Sequence, residues 1–198
     1  MGGLLLGKRK QISMTTNSYS TTYIQADMRQ LGELPGTFDA IISLWQSFGY
    51  FDQATNLAIL RQVHTKLRPG GRCILDVYHR SFFEANQGRR DFTKEGLAVT
   101  ETKQMDGNRL TVRLAYGDGR PDDIFDCQLW SPEELCAGAS TLGFHLLVAC
   151  TDFDETMPAT PTKPRMQVVL EKHSYAPTGP CSTSKTEPVT SALSSEAK

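Results

Sequence analysis

The 198-residue sequence predicts an α/β domain whose mostly parallel sheet is interrupted by an antiparallel β-meander. Three observations carry that expectation. A strand–helix–strand pattern fills Phe38 to Tyr78, the spacing of a βαβ unit with its right-handed crossover. Three segments between Leu97 and Trp130 alternate apolar and polar with a period of two. A capped helix and two apolar strands then close the chain.

Taken in order, TTYIQA (Thr21 to Ala26) is β-branched and aromatic and ends at Asp27, which predicts a first strand. LGELPG is a loop. FDAIISL (Phe38 to Leu44) is a second strand, apolar enough to be buried on both faces as parallel strands are. From about Gln53 to Leu67, the residues Leu57, Leu60, Val63, His64 and Leu67 recur at helical spacing. Arg61, Lys66 and Arg68 favour the helix's C-terminal end, and Pro69-Gly70-Gly71 stops it. RCILDVY (Arg72 to Tyr78) is the third strand. The meander then takes Leu97–Lys103, Leu110–Tyr116 and Ile124–Trp130, separated by the turn sequences MDGN and GDGRPDD. Ser131-Pro132-Glu133-Glu134 opens a helix with an N-cap, a first-turn proline and a glutamate at its third position. That helix ends at Gly143. FHLLVACTDF and RMQVVLEK form a final strand pair across a Pro-rich loop.

Composition bounds what the chain does. Its length suits one domain, expected over residues 21–173 with the meander at about 95–130. Residues 1–20 are expected to be irregular, although their basic, Ser/Thr-rich and acid-free composition also suits an organelle transit segment. Residues 174–198 are Ser/Thr/Pro-rich and nearly free of apolar side chains, which predicts a disordered tail. A net charge of −1 supplies no field that recruits nucleic acid or an anionic membrane. No run reaches the roughly 18 apolar residues of a membrane span, so a soluble protein is expected. Five scattered cysteines without a CxxC pair argue against a disulfide framework and a zinc site, and suit a reducing, cytoplasmic setting. Asp118, Asp122, Asp123 and Asp126 span a turn without the spacing of a calcium loop, which favours a solvated hairpin.

QADMR, FDAIISLWQSFGYFD, LRPGGRCILDVYHR, SPEELCAGASTLGF and RMQVVLEK, in that order, resemble class I S-adenosylmethionine-dependent methyltransferases. The likeness is to small members with a β-meander between the fifth strand and the last helix, and it runs over about three quarters of the chain, Thr22 to Lys172. It implies a Rossmann-like sheet, S-adenosyl-L-methionine as cofactor and a small-molecule acceptor. Such enzymes open with a strand, a GxGxG loop and a second strand ending in an acid that holds the ribose hydroxyls. No such segment precedes Thr22 here. Gly2, Gly3 and Gly7 have the wrong spacing, and Gly117-Asp118-Gly119 lies in a hairpin turn. The resemblance therefore implies a domain truncated in its cofactor half, with very weak cofactor binding.

Carried onto this sequence, Asp27 would accept a hydrogen bond from the adenine amino group and Met28 would pack on the ring. The other reading of Asp27 is a loop aspartate capping nearby amides. Ser43, Leu44 and Trp45 stand at the carboxyl end of the second strand, where open α/β sheets place ligands. Trp45, Gln46, Tyr50 and Phe51 would line the wall near the methyl group, while Phe48 and Phe51 suit an aromatic core equally well. His79, just past the third strand, is the candidate base, with Tyr50 the other candidate catalytic side chain; a surface histidine in a loop is the competing reading. His64 on the helix's apolar face suits a core or boundary position. The motif used to methylate amide or adenine nitrogens is replaced by Ser43-Leu44-Trp45-Gln46, which argues against a nucleic-acid substrate.

Two functions stay open at this point: methyl transfer to an unidentified small molecule, or a non-catalytic methyltransferase remnant that pairs with another chain or persists as an incomplete gene product. Without the first two strands of the family's sheet, TTYIQA and FDAIISL would be about 10 Å apart. The edge of FDAIISL is then left unpaired, an association hazard that either TTYIQA, by moving over, or a second chain would relieve. The first outcome is the one expected in a monomer.

Overall fold

The computed structural model describes residues 11–16 and 19–173; the expected tail lies outside them. Strands β1 (Gln11–Thr16) and β2 (Tyr19–Ile24) pair antiparallel in a sheet of their own, Gln11 opposite Ile24 and Thr16 opposite Tyr19. This corrects two expectations. Part of the N-terminal stretch is strand, and TTYIQA joins neither the central sheet nor FDAIISL, because β1 takes up the backbone groups of β2.

A short 3-10 helix, Met28–Glu33, follows, capped by Asp27. Strand β3 (Phe38–Ser43), helix α1 (Gln53–Lys66) and strand β4 (Leu67–Tyr78) form the βαβ unit, with β3 and β4 parallel. Asp52 caps α1 by accepting from the Thr55 amide at 2.9 Å, and the helix buries Asn56, Ile59, Leu60 and Val63. Gln62 ties α1 to the 3-10 segment, accepting from the Gly32 amide at 2.6 Å and donating to the Arg29 carbonyl at 2.9 Å. Pro69-Gly70-Gly71 ends the helix as expected but lies within β4, where the register shifts between Phe38 and Ala40 of its partner.

Helix α2 (Arg80–Ala85) leads to the inserted sheet. That sheet has four strands, not three: β5 (Gly88–Lys94), β6 (Leu97–Asp106), β7 (Arg109–Tyr116) and β8 (Asp123–Gln128), each antiparallel to the next. Helix α3 (Pro132–Ser140) opens with a capping box, Ser131 Oγ accepting from the Glu134 amide at 3.3 Å and Glu134 Oε2 from the Ser131 amide at 3.0 Å. The chain then forms β9 (Phe144–Thr151), the short β10 (Asp154–Pro158) and β11 (Arg165–Lys172).

The central sheet has the order β10-β9-β11-β4-β3. It is mixed rather than mostly parallel: β11 enters between β4 and β9 and runs antiparallel to both, leaving β3–β4 as its parallel pair among the described residues. Leu60 and Val63 of α1 and Leu135 and Ala139 of α3 pack against Leu75, Met166 and Val168 of the sheet. Each fully buried leucine there contributes about 2 kcal/mol. A second core of Phe83, Leu110, Cys127 and Leu129 joins α2 to the inserted sheet.

Strand β3 is not buried on both faces. It ends the central sheet, and Ile42 is 57% exposed. The four aspartates near the β7–β8 turn are engaged locally: Asp118 by Arg120, Asp122 by Arg113, Asp123 by the Tyr116 hydroxyl and Asp126 by Arg109. Cys73, Cys127 and Cys150 are free and buried, and burial pushes the Cys73 thiol up to about 12. Among the described residues no helix is long and apolar enough to cross a membrane.

Candidate functional site

The chain leaves the carboxyl end of β3 through a tight turn whose two residues, Trp45 (φ 56°) and Gln46 (φ 57°), are both left-handed without being glycine. Each costs about 1 kcal/mol or more relative to ordinary backbone, so something must hold them. Asp76 of β4 does so. Its carboxylate accepts from the Trp45 amide at 3.0 Å, and its carbonyl accepts from the Gln46 amide at 3.0 Å. The Gln46 side chain donates to the Phe48 carbonyl at 3.0 Å and accepts from the Tyr78 amide. The turn is thereby bound to the end of β4 from both sides.

Asp76 is only 2% exposed, and three side-chain donors keep it ionised. Arg165 donates through Nε at 3.0 Å and again through Nη2, and Gln167 donates at 2.8 Å. Burial pushes the carboxyl up, but the bonds from Arg165, Gln167 and Trp45 outweigh it and leave its pKa below the usual aspartate value. The Arg165 guanidinium lies over the Trp45 ring at 5.0 Å and over the Tyr78 ring at 5.4 Å, cation–π geometry on both.

These residues form one end of a cavity of about 620 Å³ between the central and inserted sheets. Trp45, Tyr50, Tyr78 and Arg165 line it from the central-sheet side, and α2 adds Phe82 and Phe83. Glu101, Lys103, Val112, Leu114 and Phe125 form the opposite wall. The size is that of a small-molecule site, and the walls are largely apolar with few polar groups. The inserted sheet is docked firmly. Gln128 donates its amide to the Gly49 carbonyl at 2.7 Å, and its side-chain oxygen accepts from buried Asn56 at 3.0 Å. Trp130 stacks on Phe48 with centroids 5.0 Å apart.

A second, apolar cavity of about 250 Å³ lies along β3, between the 3-10 segment and α1. Met28, Ser43 and Leu44 line it, and Ser43 Oγ is buried without a partner among the described residues. The residues expected to bind one cofactor therefore divide: Met28, Ser43 and Leu44 share the small cavity, while Trp45 and Tyr50 face the large one. Asp27 lines neither. Its carboxylate caps the 3-10 helix and is gripped by Arg29, Nη2 at 2.6 Å, which lowers its pKa to about 2.

His79 is buried, 4% exposed, at the start of α2 and does not line the large cavity. Its amide donates to the Pro164 carbonyl at 3.0 Å, and Nδ1 has no partner among the described residues. Burial lowers its pKa, against the opposing pull of Glu133 and Glu84. His64 is a boundary residue as read from the sequence, edge-on to Phe144 at 4.9 Å. The sequence reading missed Asp76, Arg165 and the lining pair Glu101–Lys103. The signals were an acid inside an apolar strand and a base opening the last one, but only β4–β11 pairing brings them together.

This is the mixed-sheet α/β fold of class I S-adenosylmethionine-dependent methyltransferases. No protein-family model matches the chain, and no curated protein matches it. Among solved structures, an S-adenosylmethionine-dependent methyltransferase from Clostridium acetobutylicum superposes with a TM-score of 0.63 at 15% identity, over 73% of this chain and 63% of that one. The CcbJ methyltransferase from Streptomyces caelestis gives 0.62 at 14% identity, over 73% and 62%. CalS10, an amino pentose methyltransferase from Micromonospora echinaspora solved with S-adenosylmethionine bound, gives 0.53 at 20% identity, over 74% and 63%. The chain spans a little under two thirds of the length of these neighbours.

Proposed function

We propose that this chain serves methyl transfer from S-adenosylmethionine to a small molecule held in the large cavity. The observation that carries the proposal is the position of that cavity. It opens where β3 and β4 end, under a docked antiparallel sheet, in a fold shared with methyltransferases. When bound, the cofactor supplies a methyl group made electrophilic by its sulfonium.

Among the described residues, the fit to that cofactor is confined to the adenine end. Met28, Ser43 and Leu44 would hold the base, with the unpartnered Ser43 hydroxyl as a polar contact in a largely apolar wall. Among the described residues that cavity's wall carries no charged group for a ribose diol or an amino-acid end. Cofactor affinity is accordingly expected to be millimolar, about −4 kcal/mol.

The acceptor side is better provided. Trp45, Phe82, Phe83 and Phe125 give the cavity an apolar wall, from which a bound acceptor would displace water. Tyr50 and Tyr78 supply the wall hydroxyls, and burial raises the Tyr78 pKa, so it stays a protonated donor near neutral pH. A hydroxyl or N–H acceptor must lose a proton, whereas an ionised carboxylate need not. Burial lowers the His79 pKa, but His79 does not line the cavity, so the proton would pass to water at the cavity's edge, where Trp45 and Tyr50 are exposed. The proposal therefore gives Tyr50 direct contact with the acceptor and gives His79 none.

The test is a cavity-filling variant. Leu114→Trp places an indole in the acceptor space without touching β3 or the smaller cavity. With millimolar S-adenosylmethionine and a panel of small phenols, acids, amines and amino sugars, the unaltered chain should yield methylated product by mass spectrometry. The variant should lose it while keeping its melting temperature within about 3 °C, the shift of roughly 1 kcal/mol. Equal product from both chains would remove the cavity from the mechanism.

A further inference from the structure

The large cavity has a charge pattern that selects among acceptors. Three charged side chains line it: Glu101, Lys103 and Arg165. Glu101 is already matched by two cations, Lys103 Nζ at 2.7 Å and Arg90 Nη2 at 3.0 Å, both at the same carboxylate oxygen. Its charge is more than neutralised before any ligand arrives. The two lining cations are not used up in the same way. Lys103 spends one of its three N–H groups on Glu101. Arg165 turns Nε and Nη2 towards Asp76, and Nη1 has no hydrogen bond among the described residues. The five charges, counting Asp76 and Arg90, sum to +1.

Resting on the acceptor-site reading above, we propose that the cavity takes a flat, largely apolar small molecule bearing one anionic group, a carboxylate in the simplest case. The anion would meet Arg165 Nη1, with Lys103 as the second cation, and the apolar body would lie among Trp45, Tyr78 and Phe125. Arg165 suits this part because its fork is fixed. Asp76 holds one edge, and Trp45 and Tyr78 lie against its faces, so little side-chain entropy remains to be lost on binding. An amine is disfavoured by the same arithmetic: it would bring a second unmatched positive charge to a wall that already carries one. This separates the chain from CalS10, whose name specifies an amino pentose.

Three probes of one skeleton test it on the intact chain: 3-phenylpropionate, 3-phenylpropanamide and 3-phenylpropylamine. Trp45, 78% exposed and stacked on Arg165, reports binding by fluorescence, with calorimetry as the check. The anion should bind about tenfold or more tighter than the amide, the gain of a charge-assisted hydrogen bond, and the amine weakest of all. Rising salt should narrow the anion's advantage. Arg165→Gln should remove most of the anion's preference over the amide, leaving the part that Lys103 supplies. Because that change also strips Asp76 of its partner, Lys103→Gln serves as a second variant, expected to weaken the anion several-fold and leave the amide unchanged. An amide or amine that binds as tightly as the anion overturns the inference, as does the absence of binding by all three probes at 10 mM. Neither result touches the cavity-filling test, which decides the methyl-transfer reading on its own.

Discussion

Replacing Asp76 with asparagine removes a charge from the most heavily bonded side chain at the site without changing its shape. Oδ1 accepts from Arg165 Nε at 3.0 Å and from Gln167 at 2.8 Å; Oδ2 accepts from the Trp45 amide at 3.0 Å and from Arg165 Nη2. An asparagine has one acceptor and one donor end, so either orientation points an amide NH₂ at two donors. Two bonds are lost, one of them to a guanidinium, at about 1.5 kcal/mol each for charge-assisted contacts. The sum, about 3 kcal/mol, meets the lower end of the range for breaking one side of a buried ion pair, as suits an Arg165 side chain 24% exposed. For a chain of this length that is a fall of about 6–12 °C in melting temperature. Urea unfolding followed by circular dichroism at pH 7 measures it directly, and Trp45 emission should shift as the strained turn loses its anchor. Asp76's folded pKa is lowered, so its stabilisation is complete above the unfolded value near 4 and is lost as pH falls through the folded one. The variant should lack that acid-dependent component. A loss below 1 kcal/mol would refute the claim that Asp76 holds the Trp45–Gln46 turn and the Arg165 fork in place.

Burial lowers the pKa of both His64 and His79, so the unfolded chain binds more protons below pH 6.5 and stability should fall as pH drops from 7.5 to 5.5. The slope is bounded by about 1.4 kcal/mol per pH unit per histidine; a flat profile from chemical denaturation would contradict it. Gly49→Ala should cost roughly 2–4 kcal/mol, because Gly49 has φ 118° and an added Cβ would lie 2.6 Å from the Gln128 carbonyl. Urea midpoints test this, and an unchanged midpoint would mean that the inserted sheet is not docked at this point. Ile42→Lys should suppress self-association by placing a charge on the exposed strand β3; light scattering that shows the unaltered chain strictly monomeric would remove the edge as an association surface.

Most of the fold was legible because its signals are local. The apolar spacing of Leu60 and Val63 marks α1, and Ser131-Pro132-Glu133-Glu134 builds the capping box that was read from it. What escaped was polar or non-local. β5, GRRDFTK, is an exposed edge strand without alternation, so nothing in its composition separates it from a loop. The six residues of α2 are too few to show a period. TTYIQA is a strand in both readings, but its partner β1 is a Ser/Thr-rich segment with weak patterning. At the site, Trp45 and Tyr50 fall on the cavity wall because β3 delivers them there. Arg165 was invisible because its meaning depends on Asp76, 89 residues away. His79 was placed by proximity to a strand end, and sequence distance says nothing of which side of the wall its ring occupies.

The proposal is that a small-molecule acceptor beneath the inserted sheet is methylated, with the described residues fitting the adenine end of the cofactor. It is tested most directly by following methyl transfer against S-adenosylmethionine concentration, with an acceptor that fluorescence shows to be bound. The account predicts product whose initial rate climbs almost linearly through the millimolar range and vanishes in Leu114→Trp. No product above the chain-free blank at 10 mM cofactor, with the acceptor bound, would contradict it.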